Sequence, residues 1–188
     1  MVGRDQESGG AGDGPFAFIS RRRALKWTLT GLGGMLGMTA AAGGALLSLR
    51  GCAPEVAGLE VLSDHEYRTL SALARTVVPR GGPFAAGADD VGLARLFDGY
   101  LADEPAQNVR ELSLALTLVE LGPVLFDGRL RTFSNLPPAD QLAHWGSWSV
   151  SETLIRRKAS IGFNKFFNLV FYGQPAIWPH LGYVDPAP

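Results

Sequence analysis

"LSDHEYRTLSALARTVVP", residues 62–79, decides how the rest of the chain is read. Ser63 stands three residues before Glu66. The hydroxyl can accept from the Glu66 backbone N–H while the carboxylate reaches back to the Ser63 N–H, the capping box that starts a helix. Tyr67, Leu70, Leu73, Ala74, Val77 and Val78 then recur at intervals of three and four, the apolar stripe of an α-helix rather than the alternation of a strand. Pro79 has no N–H to donate and ends the pattern.

The same period continues toward the C-terminus. "RGGPFAAGADD", residues 80–90, reads as a loop, and a second helix is predicted over 91–101 with Leu93, Leu96, Phe97 and Tyr100 inward. Pro105 suits the start of a third helix, in which Leu112, Leu116 and Val119 face the core, with Ala115 and Leu118 on a wider stripe. Gly122-Pro123 predicts its end. "FSNLPPADQLAHW", residues 133–145, turns into a fourth helix with Pro138 near its first turn and Leu142 and Trp145 on one face. A fifth helix is predicted over 151–172, with Ser151 as its cap. Its apolar surface is Leu154, Ile155, the stem of Lys158, Ile161, Phe166, Leu169 and Val170, while Phe163, Phe167 and Phe171 repeat on a neighbouring face. A helix apolar over so much of its circumference needs cover on more than one side, from its own domain or from a partner.

No alternating strand run competes with these helices. The expected fold is therefore all-α: one small domain of about five helices over residues 53–188, with an irregular C-terminal arm rich in proline and aromatics. In that arm, "YGQPAIWPHLGYVDPAP", four prolines and two glycines exclude a long helix. Trp178 and Tyr183 give it adhesive area. Two outcomes stay open for it, folding back on its own helices or lying on another protein.

Composition limits the function. A formal net charge of −1 over 188 residues gives no electrostatic reason to expect nucleic acid. The charge is unevenly placed: six of the 17 basic and three of the 18 acidic residues lie in residues 1–52, so the remainder is net −4. A basic front ahead of a mildly acidic body marks a targeting segment. Cys52 is the single cysteine, which rules out an intrachain disulfide and any multi-cysteine metal or iron–sulfur site.

The front itself has three parts. Residues 1–19, rich in glycine and polar residues, are predicted to be disordered. "SRRRALKW", residues 20–27, precedes an uncharged run over residues 27–49 that Arg50 closes. The run is long enough to span a bilayer but only weakly apolar, since it holds six glycines, four alanines and three threonines. Its "GLGGMLG" lacks the third glycine of a dinucleotide loop and follows no strand. A charged flank, an apolar middle and small residues near the end make an export signal.

That signal resembles the twin-arginine (Tat) type, whose pattern is Ser-Arg-Arg-x-Phe-Leu-Lys. Ser20, Arg21, Arg22, Leu25 and Lys26 match, and Ala24 stands where phenylalanine is usual. The resemblance implies delivery of a folded protein to the periplasm by the Tat translocase. Leu49-Arg50-Gly51-Cys52 is similar to a lipoprotein processing box, although Arg50 fits it poorly. Lipidation at Cys52, cleavage nearby and a retained anchor all stay open. The first and the last would hold the domain on a membrane, facing the periplasm.

Catalytic chemistry finds no constellation. His65, His144 and His180 are the three histidines, and none has another histidine at helical spacing. His-Glu-x-x-His, Cys-x-x-Cys-His and Gly-x-Ser-x-Gly are all missing from the sequence. His65 is expected to face solvent, His144 to be at the surface or half-buried, and His180 to be structural. Asp89-Asp90 reads as a loop acid pair beside a helix start, and Arg156-Arg157-Lys158 as a solvated charged face. No catalytic, cofactor-binding or metal-ligating residue is assigned.

The body resembles the gluconate 2-dehydrogenase subunit 3 family over residues 62–186. "LSDHEYRTLSALARTVVPRGG" is similar to that family's opening helix and its break at proline. "LRTFSNLPPADQLAHWGSWSVSETLIRRKASIGFNKFFNLVFYGQPAIWPHLGYVDP" is similar to its proline-led helix start, long aromatic helix and Tyr-x-x-Pro-x-x-Trp-x-x-(Ile/Leu)-Gly-Tyr tail. Tyr172, Pro175, Trp178, Leu181, Gly182 and Tyr183 stand at the tail positions. The resemblance implies a non-catalytic small subunit that bears the Tat signal. Its partner would be a large flavoprotein dehydrogenase of the glucose–methanol–choline type, which holds the FAD and oxidises sugars or alcohols, with a cytochrome c subunit often receiving the electrons. Phe163, Phe167, Phe171, Tyr172, Trp178 and Tyr183 are the side chains expected to meet that partner.

Overall fold

Ser63 starts α1 (Asp64–Val77) through both halves of the capping box: the Glu66 N–H donates to Ser63 Oγ, and the Ser63 N–H donates to Glu66 Oε2 at 2.9 Å. The computed structural model describes residue 51, residues 53–82 and residues 85–182. The twin-arginine motif, Cys52 and Tyr183 lie outside the described residues. Within them the regular elements are helical: α2 (Leu93–Ala102), α3 (Ala106–Asp127), α4 (Pro138–Ser149) and α5 (Leu154–Tyr172) follow α1, with short 3-10 turns at Phe133–Asn135 and Trp178–Leu181.

α1 is the central helix. It packs against all four others and against the 133–135 turn. Thr69, Leu70, Ala72, Leu73 and Ala74 are buried on it, and the two alanines let neighbouring helices approach closely. Leu93 and Phe97 of α2, Leu116 and Val119 of α3, Phe133, Trp148 of α4, and Phe167 and Phe171 of α5 close the same core. Ile177, after α5, is also buried there, so the start of the tail turns back on its own helices.

Asp98, fully buried on α2, ties down the approach to α1. Its carboxylate accepts from the backbone N–H groups of Glu60 (2.7 Å), Val61 (3.1 Å) and Leu62 (2.8 Å). Glu120 has the corresponding role between α1, α3 and the 133–135 turn, accepting from Thr69 Oγ1 at 3.1 Å, Ser134 N at 3.0 Å and Ser134 Oγ at 2.7 Å.

Five expectations change. Tyr100 does not face inward with Leu93 and Phe97 but is 42% exposed at the end of α2. α3 does not stop at Gly122-Pro123 but runs through Pro123 to Asp127, and Gly128, at φ 64°, caps it in the left-handed conformation. Tertiary packing at Gly122 offsets the hydrogen bond that proline removes. Leu142 is 60% exposed, because α4 turns Gln141, His144, Trp145 and Trp148 inward instead. Ser151 is not the cap of α5: Thr153 is the N-cap residue, and Ser151 Oγ accepts from its N–H at 3.2 Å. Arg156 is not on a solvated face; its guanidinium lies 4.7 Å from the Phe126 ring centroid and 5.5 Å from that of Trp148.

Candidate docking face and polar clusters

The phenylalanine face of α5 has the opposite role from that expected, and the other expected apolar surface divides, with Val170 buried and Leu154, Ile161 and Leu169 exposed. Phe163, Phe167 and Phe171 recur every four residues and so share one side of the helix. That side faces α2 and α4. Phe163 lies 6.1 Å from Trp145 and 5.9 Å from Phe167, and Phe167 lies 5.7 Å from Phe97. All three phenylalanines are buried in the chain's own core, which corrects their expected role as partner contacts.

The outer face carries the exposed apolar groups. Leu154 (56% exposed), Ile161 (50%), Leu169 (54%) and Tyr172 (41%) succeed one another along it. Successive spacings of seven, eight and three residues keep them on one stripe. Lys158 and Lys165 fall between them on the same stripe. Leu181, in the last described turn, is 47% exposed. Trp178 is half-buried and donates its indole N–H to the Tyr172 carbonyl at 3.2 Å, which fixes the tail against the end of α5. Of the six expected partner contacts, Tyr172 and Trp178 are thus at the surface, three are core, and Tyr183 lies outside the described residues.

His144 is the main departure among the polar residues. It is buried, not half-exposed at the surface. Nδ1 lies 2.6 Å from Asp127 Oδ2 at the end of α3, and Nε2 accepts the Trp148 indole N–H at 3.0 Å. Burial lowers the ring's pKa below its ordinary 6.5; Asp127 opposes the shift, and Arg156 and Arg129 reinforce it. A His–Asp pair can serve acid–base chemistry, but here Nε2, the atom that would meet a substrate, is occupied by an indole. The nearest hydroxyl on the helix, Ser147 Oγ, donates to the His144 carbonyl at 2.6 Å and accepts from Arg156 at 2.7 Å.

The acid pair of the 80–90 loop forms ion pairs. Asp89 meets Arg75 at 3.5 Å. Asp90 bonds Arg80 and accepts the Gly87 N–H at 2.8 Å, and these two contacts hold its carboxyl below the usual range. Among the described residues, no group of three or more His, Cys, Asp or Glu side chains is placed to hold a metal ion, and no helix is long and apolar enough to cross a membrane.

Two of these polar residues left a sequence signal. Glu120 interrupts an otherwise apolar inward stripe next to Val119, and His144 stands four residues before Trp148, one helical turn. Pairing across helices, Glu120 to Ser134 or Asp127 to His144, has no such local mark. The chain matches no family model, no curated protein and no solved structure.

Proposed function

We propose that this chain is a non-catalytic small subunit of an exported oxidoreductase complex. It carries the twin-arginine signal, escorts a flavin-dependent sugar or alcohol dehydrogenase of the glucose–methanol–choline type through the Tat translocase, and stabilises it. FAD belongs to that partner and not to this chain, and a cytochrome c subunit is the natural electron acceptor of such a complex. The working place is the periplasm or the periplasmic side of a membrane.

The observation that carries this reading is the outer face of α5, where Leu154, Ile161, Leu169 and Tyr172 form an apolar row left uncovered by the described helices. Exposed apolar groups gathered on one face, between lysines and next to an aromatic tail, suit a protein interface. The residues of the twin-arginine motif supply the export half of the reading.

One observation favours a second reading, a free-standing exported or lipid-anchored helical binding protein. The phenylalanine row closes the core from within, so the body has a filled interior without a partner. A tagged full-length chain, purified from the membrane and periplasm of its native host, separates the two. Co-elution of a stoichiometric large flavoprotein with oxidised-flavin absorbance is expected. A lone, colourless, folded chain would overturn the subunit reading.

A further inference from the structure

The last turn of α3 is joined to the rest of that helix at a weak point. Pro123 has no N–H to return to the Val119 carbonyl, and Gly122 before it has no Cβ. Beyond them the helix continues only to Asp127, where the N–H groups of Gly128 and Arg129 fold back to the Pro123 carbonyl, the second at 3.0 Å. Side chains hold this turn to α4 and α5. Asp127 bonds His144, Phe126 meets Trp148 edge-on at 5.9 Å, and Arg156 covers Phe126 and Trp148.

His144 links these contacts, and its geometry fixes its protonation state. An indole N–H can only donate, so Nε2 must offer Trp148 a lone pair. The ring's single proton is then on Nδ1 and is donated to Asp127. The bonded arrangement requires a neutral imidazole.

We propose that the last turn of α3 is an acid-released flap, hinged at Gly122–Pro123 and latched by neutral His144. A proton added at Nε2 places two donors 3.0 Å apart, and the bond to Trp148 is lost. Protonation turns the Asp127 contact into an ion pair, but Trp148 carries the contacts to Phe126 and Arg156, and the turn is released where their loss outweighs that gain.

The charged groups facing the ring come from several elements: Asp127 at the end of α3, Arg129 just after it, and Arg156 on α5. On α4, Asp140 is one turn earlier and is paired with Arg129 at 3.0 Å. From the 133–135 turn, the uncharged Phe133 packs at 6.0 Å. The Asp127 side chain on Nδ1 is 31% exposed, whereas the ring itself is fully covered, so Nε2 takes up its proton only as the turn opens.

The test is hydrogen exchange on the full-length chain, at about pH 7.5 and about pH 5, corrected for the intrinsic pH dependence of exchange. Protection over residues 124–128 is expected to fall in acid by more than that over α1. His144→Gln keeps one donor and one acceptor without a titrating ring, and its flap is expected to keep its protection in acid. If wild-type protection over 124–128 falls no more than that over α1, or if His144→Gln loses as much as wild type, the latch is overturned. Ring nitrogen NMR of wild type decides even where the variant fails to fold: Nδ1 protonated at neutral pH is required, and Nε2 protonated would overturn the proposal.

Discussion

Gly122 of α3 stands directly against His144 of α4: a Cβ built on Gly122 would lie 2.8 Å from His144 Nε2, and equally close to Trp148 Cζ2. The glycine that looks like a helix stop is a notch that lets two helices close over a polar ring. Glycine inside a helix ordinarily costs about 0.5–1 kcal/mol relative to alanine, so Gly122→Ala would stabilise an isolated helix. Here both obstructing atoms belong to buried, bonded side chains. We predict that Gly122→Ala destabilises the fold by about 1–3 kcal/mol, the cost of overpacking. Urea unfolding gives the sign directly, and a stabilised variant would show that the notch has slack.

Asp98 is a buried carboxylate with three backbone N–H partners and no side-chain cation among them. Asp98→Ala leaves those donors without an acceptor. We predict a loss of about 3 kcal/mol or more, from the penalty for unsatisfied buried donors near a former charge. Asp98→Asn keeps one acceptor oxygen and should lose less. Equal losses in the two variants, measured by denaturant midpoints at constant slope, would mean that shape and not hydrogen bonding sets the contribution.

Stability should fall on the acid side of neutrality. The folded-state pKa of His144 lies below its ordinary 6.5, so the unfolded chain binds the proton more readily. The stabilisation is complete above 6.5 and is lost as pH drops below that value through the folded-state pKa, at about 1.4 kcal/mol for each unit of depression. Asp90, held below 3.8 by Arg80 and Gly87, loses its contribution only at still lower pH. Melting curves of wild type and His144→Gln across this range should diverge below 6.5, with the variant flatter. Parallel curves would place the acid sensitivity in another group.

Local signals made the helices legible. The Ser63–Glu66 box, the stripe from Leu70 to Val78, Pro138 in the first turn of α4 and the fourfold phenylalanine spacing each act within one or two turns, and each is where the sequence places it. What the sequence hid depends on a second segment. Whether Gly122-Pro123 ends a helix is decided by His144 and Trp148, more than twenty residues later. Which side of α5 is buried is decided by α2 and α4, because Leu154, Ile161 and Leu169 are as apolar as the phenylalanines opposite them. The aromatic side packs on Phe97 and Trp145, and the aliphatic side is left outward.

That division of α5 gives the last prediction, and it separates folding from docking on a single helix. Phe167→Ala removes a fully buried ring and should cost about 3–5 kcal/mol, enough to impair the fold before any partner is met. Ile161→Ser and Leu169→Ser alter half-exposed groups and should change the stability of the isolated chain by no more than about 0.5 kcal/mol. If the outer face docks the proposed flavoprotein, the double serine variant should fold, melt like wild type and lose the co-eluting flavin. A few apolar groups at the centre of an interface account for most of its binding energy, so two of them suffice for the test. Retention of the flavoprotein by the folded double variant would move the docking site off α5, to the tail around Trp178 or to another surface of the domain. Loss of folding in that variant would instead mean that the outer stripe supports the core, and the exposures at Ile161 and Leu169 argue against it.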